Sequence, residues 1–263
     1  MYIVAILELG TPIEAEARAL AADLGTIAYE ERLKLAGGVP AIVQQTADPE
    51  AARTLATALR RRGHAALVVD AADIVASADM LEVRRFALAP DALVRRDDGA
   101  RLPFADLIAI VRAVHHTRTE TRSVTKQRSF SPGRALATGG LLMSKTTRKE
   151  ERSVADDWDA VLYLFRASGA PPWLVRERGA DYAALGPDLS PSATVNFQTV
   201  IARLRAAAPH ARYDDRLVRS GSAPTRVQLG SPGTTAASSA SGVDLIAHLL
   251  AQAARLAAQR GPA

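Results

Sequence analysis

Thr117-Arg118-Thr119-Glu120-Thr121-Arg122-Ser123-Val124-Thr125-Lys126-Gln127-Arg128-Ser129-Phe130 alternates with a regularity that defines its conformation. Successive residues of a strand point to opposite faces. One face of this stretch carries Thr117, Thr119, Thr121, Ser123, Thr125, Gln127 and Ser129, and the other Arg118, Glu120, Arg122, Val124, Lys126, Arg128 and Phe130. Neither row is apolar, so the stretch cannot lie between two packed layers. Residues 142–154 mirror it, with Ser144, Thr146, Arg148, Glu150 and Arg152 on one side and Lys145, Thr147, Lys149 and Glu151 on the other. Two wet strands around the turn-rich centre Ser131 to Met143 predict a hairpin projecting from the body. At about 3.3 Å per residue each strand could reach about 45 Å.

The charge of the chain concentrates here. Net charge is +5, yet residues 112–153 hold ten Lys or Arg against three Asp or Glu, a local +7 that leaves the rest at −2. The protein therefore reads as a near-neutral body carrying one basic segment. Candidate contact residues are Arg122, Lys126, Arg128, Arg134, Lys145, Arg148 and Lys149, with Leu141, Leu142 and Met143 as an apolar tip between Arg134 and Lys145. Three uses compete. The charges can simply solvate an edge and block strand pairing, with the apolar tip folded back on the body. Apolar residues ringed by basic ones also suit an unidentified protein partner or an anionic lipid surface. Nucleic acid ranks last, because only Phe130 interleaves with the charges and single strands need stacking platforms.

Composition removes several chemistries. The chain has no Cys, which excludes disulfides, thiolate metal sites and thiol nucleophiles. The segment Met1 to Glu8 lacks a basic start and its apolar run stops at Glu8, so neither a secretory leader nor a membrane span is expected. The expected location is cytoplasmic, with peripheral membrane contact as an option. At 263 residues, two domains are the natural division.

Residues 1–76 form the first. Residues 2–9 read as a buried strand, and Thr11-Pro12-Ile13-Glu14 as a capping box with Thr11 as N-cap. Gly25 ends that helix, and Gly37 is expected to close a second helix in the left-handed C′ conformation. Val39 to Thr46 is a strand, Asp48-Pro49 opens a helix ending at Gly63, and Ala65 to Val69 is the next strand. His64 is expected at the surface or on the helix dipole. The Val39 to Asp70 unit, with Asp48-Pro49-Glu50-Ala51 and Arg60-Arg61-Arg62-Gly63-His64, resembles the second half of ferredoxin-like modules such as PII-like and sporulation-related domains.

Residues 80–217 form the second domain. Arg84 to Leu88, Ala92 to Arg96, Leu102 to Ile110, Ala160 to Arg166 and Trp173 to Arg178 read as strands, with a tight turn at Asp97-Asp98-Gly99. Pro191 to Ala206 is an amphipathic helix. Phe86 to Leu93, Leu102 to Ile110 and Asn196 to Leu204 resemble the strands and closing helix of pleckstrin-homology-like (PH-like) domains, over residues 81–208 with the basic hairpin 112–153 as an insertion. That resemblance implies an antiparallel β domain that hosts lipid or peptide binders, and names no ligand. Residues 218–242 read as a flexible linker and 243–260 as an Ala-rich amphipathic helix. This helix must dock on its own chain, on a second copy as a homo-oligomer, or on a partner.

No catalytic pattern emerges. Adjacent His115 and His116 point to opposite faces, no phosphate loop or nucleophile motif is complete, and Asp156, Asp157 and Asp159 read as counter-charges to the hairpin. No cofactor and no metal are expected. The overall expectation is an α+β protein, a ferredoxin-like domain followed by a PH-like one, acting as a non-enzymatic adaptor or scaffold. The alternative is a small-molecule or nucleotide sensor, or an enzyme, using an inter-domain cleft.

Overall fold

The strand β1 (Tyr2–Glu8) is apolar almost throughout because both of its faces are covered. The computed structural model describes residues 1–130, 144–218, 225–228 and 234–260, with side chains described outside 121–130, 144–152, 225–228, 234–237 and 260. After β1 come α1 (Ile13–Leu24), α2 (Ala28–Ala36), β2 (Ala41–Thr46), α3 (Pro49–Arg61) and β3 (Ala65–Asp70). β2 and β3 flank β1, each antiparallel to it, so β2–α3–β3 is a split β-α-β unit with β1 in the gap. Pro49 starts α3, and the Asp48 carboxylate accepts the Glu50 N–H at 2.8 Å. Leu55 and Leu59 bury against Val4 and Ile6, with Leu20 and Leu35 closing the core.

Three local expectations change here. Thr11 is not the cap of α1, which begins at Ile13 after Pro12; its hydroxyl instead lies 3.3 Å from His64 Nε2. The left-handed residue after α2 is Gly38 at φ 87°, while Gly37 stays right-handed. His64 is buried, held by the Gly10 N–H on Nδ1 at 3.0 Å and by Glu16 Oε2 at 2.6 Å from Nε2. Glu16 in turn takes a two-pronged contact from Arg62. A side chain at Gly10 would overlap the Gly63 carbonyl, so only glycine lets these two loops meet closely enough for that bond.

The second sheet is built on one hairpin. A small meander of β5 (Phe86–Leu88), β6 (Ala92–Arg95) and β7 (Arg101–Pro103) precedes it, turning at Gly99 with φ 73°. β8 (Leu107–Phe130) and β9 (Ser144–Arg166) then pair continuously from Leu107↔Arg166 to Phe130↔Ser144. The strand expected at Ala160 to Arg166 is thus the inner end of β9, whereas the one expected at Leu102 to Ile110 is broken by a turn of 3-10 helix at Phe104–Asp106 and only its last residues begin β8. Beside β9 lie β10 (Trp173–Arg176) and β4 (Leu81–Glu82), the last two parallel. The other edge of β8 takes β11 (Arg212–Asp214) in parallel and β13 (Thr234–Ser238) antiparallel, with β12 (Thr225–Gln228) outermost. Residues 225–228 and 234–238 are therefore strands where composition suggested a linker. Cross-strand pairing, of β13 with β8 and of β12 with β13, overrides their low apolar content.

Along the inner hairpin the two faces go to different layers. Ile110, Leu162 and Leu164 pack with the meander and with α4 (Ala193–Ala207), through Phe197, Val200 and Leu204. Val111, Ala113, Val161 and Phe165 meet α5 (Ala240–Arg260) through Val243, Ala247 and Leu250. The opposite side of α5, with Leu249 and Ala253, packs on Ala5 and Leu7 of the N-terminal sheet. The C-terminal helix is thus wedged between both sheets of its own chain. That explains its sparse polar face and its many alanines, which let sheets approach from two sides. The fold mixes helix and sheet, compatible with the expected α+β class, and no helix among the described residues is long and apolar enough to cross a membrane.

One polar contact sits inside this wedge. Asp244 of α5, 2% exposed, accepts the Tyr163 hydroxyl at 2.6 Å and the Ser77 N–H at 2.8 Å. The helix, the large sheet and the segment that follows β3 meet on one carboxylate. Asp244→Ala takes the acceptor from the buried Tyr163 O–H and from the Ser77 N–H, and is expected to cost about 3–5 kcal/mol. Ser77→Ala keeps the backbone donor and should cost far less. Equal urea midpoints for the two variants would refute the assignment.

Candidate functional site

The pairing of β8 with β9 runs on past the rest of the sheet. β13 accompanies β8 only as far as the Thr234↔Thr121 pair. From Arg122↔Arg152 to Phe130↔Ser144, no further described strand flanks the hairpin, which continues as a two-stranded arm of about 30 Å. This extension brings together the sequence positions Arg122, Lys126, Arg128, Lys145, Arg148 and Lys149. Arg134, Leu141, Leu142 and Met143 lie outside the described residues, as does the apolar tip they were expected to form. The register adds what alternation could not: Arg122 is the partner of Arg152, and Lys126 of Arg148.

The arm's root is charge-balanced. Asp156 lies 2.9 Å from His116 Nε2, Asp157 pairs with Arg178, and Asp159 accepts from Arg176 at 2.8 Å. Asp157 and Asp159 are counter-charges, to the arginines on and just after β10 rather than to the basic hairpin as expected, and Asp156 is a hydrogen-bond partner of His116. Among the described residues no group of three or more His, Cys, Asp or Glu could hold a metal ion. His116 also stacks on Trp158, its register partner, with centroids 4.0 Å apart and planes at 17°. Trp158 is 55% exposed. Sequence reasoning missed it, although it continues the alternation of Leu164, Leu162 and Ala160 one step beyond the core.

Behind the root, His115 points the other way, into the wedge. The Tyr163 proton goes to Asp244, so the phenol oxygen accepts from His115 Nε2–H at 2.6 Å. Burial, then the neighbouring Asp244 carboxylate, raises the Tyr163 pKa and keeps it a donor. The trio has the element order of a catalytic relay but no solvent access, with His115 5%, Tyr163 0% and Asp244 2% exposed. It is a structural clamp.

An open cleft of about 490 Å³ runs between β3 and α5, and a second of about 190 Å³ adjoins it, the two sharing Asp73, His248 and Gln252. Arg60 and Leu256 complete one end and Arg255 the other. His248 Nδ1–H donates to the Asp244 carbonyl at 2.8 Å and its ring stands edge-on to Phe165, which leaves Nε2 as the acceptor. Arg255 donates to the Arg166 carbonyl at 2.7 Å. The arrangement offers one acceptor, one carboxylate and two guanidinium groups beside the apolar residues of β3.

Burial lowers the pKa of both His115 and His248 below the ordinary value of 6.5, against the opposing pull of Asp244. The unfolded chain therefore binds protons that the folded chain refuses. Stability should be full above pH 6.5 and fall as pH drops through that value, with a slope approaching about 2.7 kcal/mol per pH unit for two sites. Carboxylates such as Asp98, held at about 2 by Arg95, lose their share only below the ordinary 3.8. Urea unfolding between pH 5 and 7 tests this: His248→Gln should roughly halve the slope, and an unchanged slope would sink the assignment.

Comparisons of the chain with protein-family models, with curated proteins and with solved structures found no match, so the functional reading rests on the chain's own geometry.

Proposed function

We propose that the chain is a non-enzymatic adaptor that holds an extended anionic partner against its basic arm. The observation that carries this is the pairing of Arg122 with Arg152 and of Lys126 with Arg148. Like charges placed directly opposite weaken a two-stranded ribbon. A bound polyanion offsets that repulsion and releases its own counterions. Protein surfaces rich in Asp and Glu, anionic headgroups and nucleic acids all supply such charge. The body contributes stiffness: α5 joins both sheets, so the arm leaves a scaffold rather than a tether.

The clefts support a second reading, a small-molecule sensor between the domains. It rests on His248, whose free acceptor faces an otherwise apolar wall beside Arg60 and Arg255. Because His248 and Asp244 are one helical turn apart, a ligand there would act directly on the clamp.

Retention on immobilised heparin tests the first reading. Arg122→Glu/Lys126→Glu should elute at markedly lower salt than wild type. Arg18→Glu/Arg61→Glu, which makes the same change in net charge at exposed body sites, should shift far less. Equal shifts would mean that net charge alone is read, and the arm proposal fails. For the second, a panel of nucleotides and small carboxylates is screened by thermal melting against wild type and His248→Ala. A ligand at 100 times its Kd stabilises by about 2.7 kcal/mol; no shift in wild type, or one retained in His248→Ala, rejects the cleft.

A further inference from the structure

Trp158 changes the ranking of partners for the arm. Resting on the arm reading, we infer that the arm and its root bind single-stranded nucleic acid, with a base stacked on the open side of Trp158 and the phosphates following the basic ribbon. The first support is the stack itself. His116 covers one side of the indole at 4.0 Å and holds its plane, while 55% of the residue stays exposed. An ordered, half-covered indole is a stacking platform. The alternation of the arm, read alone, offered only Phe130 for that role.

The second support is register. From His116↔Trp158 outward the pairing has no shift, so alternate positions keep to one side of the ribbon: Arg118, Arg122, Lys126 and Arg128 on β8, and Arg148 and Arg152 on β9, six basic positions against the acidic Glu120, Glu150 and Asp156 of the same row. The basic track thus begins next to the indole and lies on the same side. Phosphate contacts and a stacking surface are the two parts of a sequence-tolerant single-strand site.

Geometry then decides between nucleic acid and bilayer. Two-stranded ribbons twist more strongly than broad sheets, so the basic track winds around the arm. A flexible strand can follow a winding track, whereas a flat membrane meets only part of it. The covered layer ends close to the platform. On the side that carries Trp158, α4 packs on Leu162 and Leu164, and Ala160 lies at the edge of that cluster. Trp158 is the next position on the same side, exposed at the root of the arm. Of the root aspartates, Asp157 and Asp159 are paired with the guanidinium groups of Arg178 and Arg176, and Asp156 is hydrogen-bonded to the His116 ring.

The full-length chain has a built-in reporter, because its other tryptophan, Trp173, is only 3% exposed. Intrinsic fluorescence is titrated with a 20-nucleotide oligothymidylate and with phosphatidylserine vesicles at several salt concentrations. The expected result is quenching by the oligonucleotide, with log affinity falling linearly against log salt at about −0.7 per phosphate neutralised. Trp158→Ala, which lacks the reporter and is compared with wild type by anisotropy of an end-labelled oligothymidylate after a check for an unchanged melting temperature, should bind roughly 5- to 150-fold more weakly with the same salt slope. Arg122→Glu/Lys126→Glu should flatten the slope. If heparin retention depends on the arm but the oligonucleotide neither quenches nor binds, the nucleic-acid inference fails and the arm reading stands. Binding only to vesicles, or equal affinity in Trp158→Ala, also overturns it.

Discussion

The carboxylate of Asp244 is the point on which the architecture closes. A charged group at 2% exposure survives only if its hydrogen bonds are complete, and here they come from separate parts of the chain. Tyr163 brings the large sheet, Ser77 the segment that follows β3, and Asp244 itself the C-terminal helix. Around this contact the packing is generic, much of it Ala, Val and Leu on flat sheet faces. Apolar contacts of that kind tolerate sliding, since one alanine on a helix fits much like the next. The hydrogen-bonded trio supplies the register that they lack, fixing where along α5 the large sheet is held.

The hairpin of β8 and β9 shows the same chain solving two problems with one element. Its inner half is apolar on both faces because layers cover both; its outer half is polar on both because no described layer does. The change occurs within a few residues, between Ala113 and Arg118 on β8 and between Asp156 and Val161 on β9. There His115 and His116 divide the roles, one turned into the clamp and the other carrying Trp158. The arm is therefore anchored by the same strands that build the core, and any load on it is carried directly into the body.

Much of this was legible in the sequence, for physical reasons that can be named. Alternation along residues 117–130 and 142–154 specified a projecting ribbon because strand geometry leaves no other way to place two polar rows. Asp48-Pro49 specified the start of α3, since cap and ring chemistry are local. What failed was nonlocal. His64 reads as a surface residue until Gly10 and Glu16, far away in sequence, close around it. Residues 225–228 and 234–238 are polar enough for a linker, and only their pairing makes them strands. The helix after residue 240 was expected, but a stripe of apolar residues does not say that two sheets will share it. The contact positions on the arm were legible as charges, while Trp158 and the like-charge pairs needed the register.

The wedge position of α5 also sets an order of events during synthesis. Both sheets, and the long hairpin that spans one of them, are made before the helix that covers their facing surfaces. Until α5 emerges, Ala5 and Leu7 on one sheet and Val111, Val161 and Phe165 on the other lack the helix that covers them. The two halves can each gather their own cores, but they cannot be fastened to one another. This helix is thus a latch, and until it emerges the nascent chain carries sticky, unlatched surfaces.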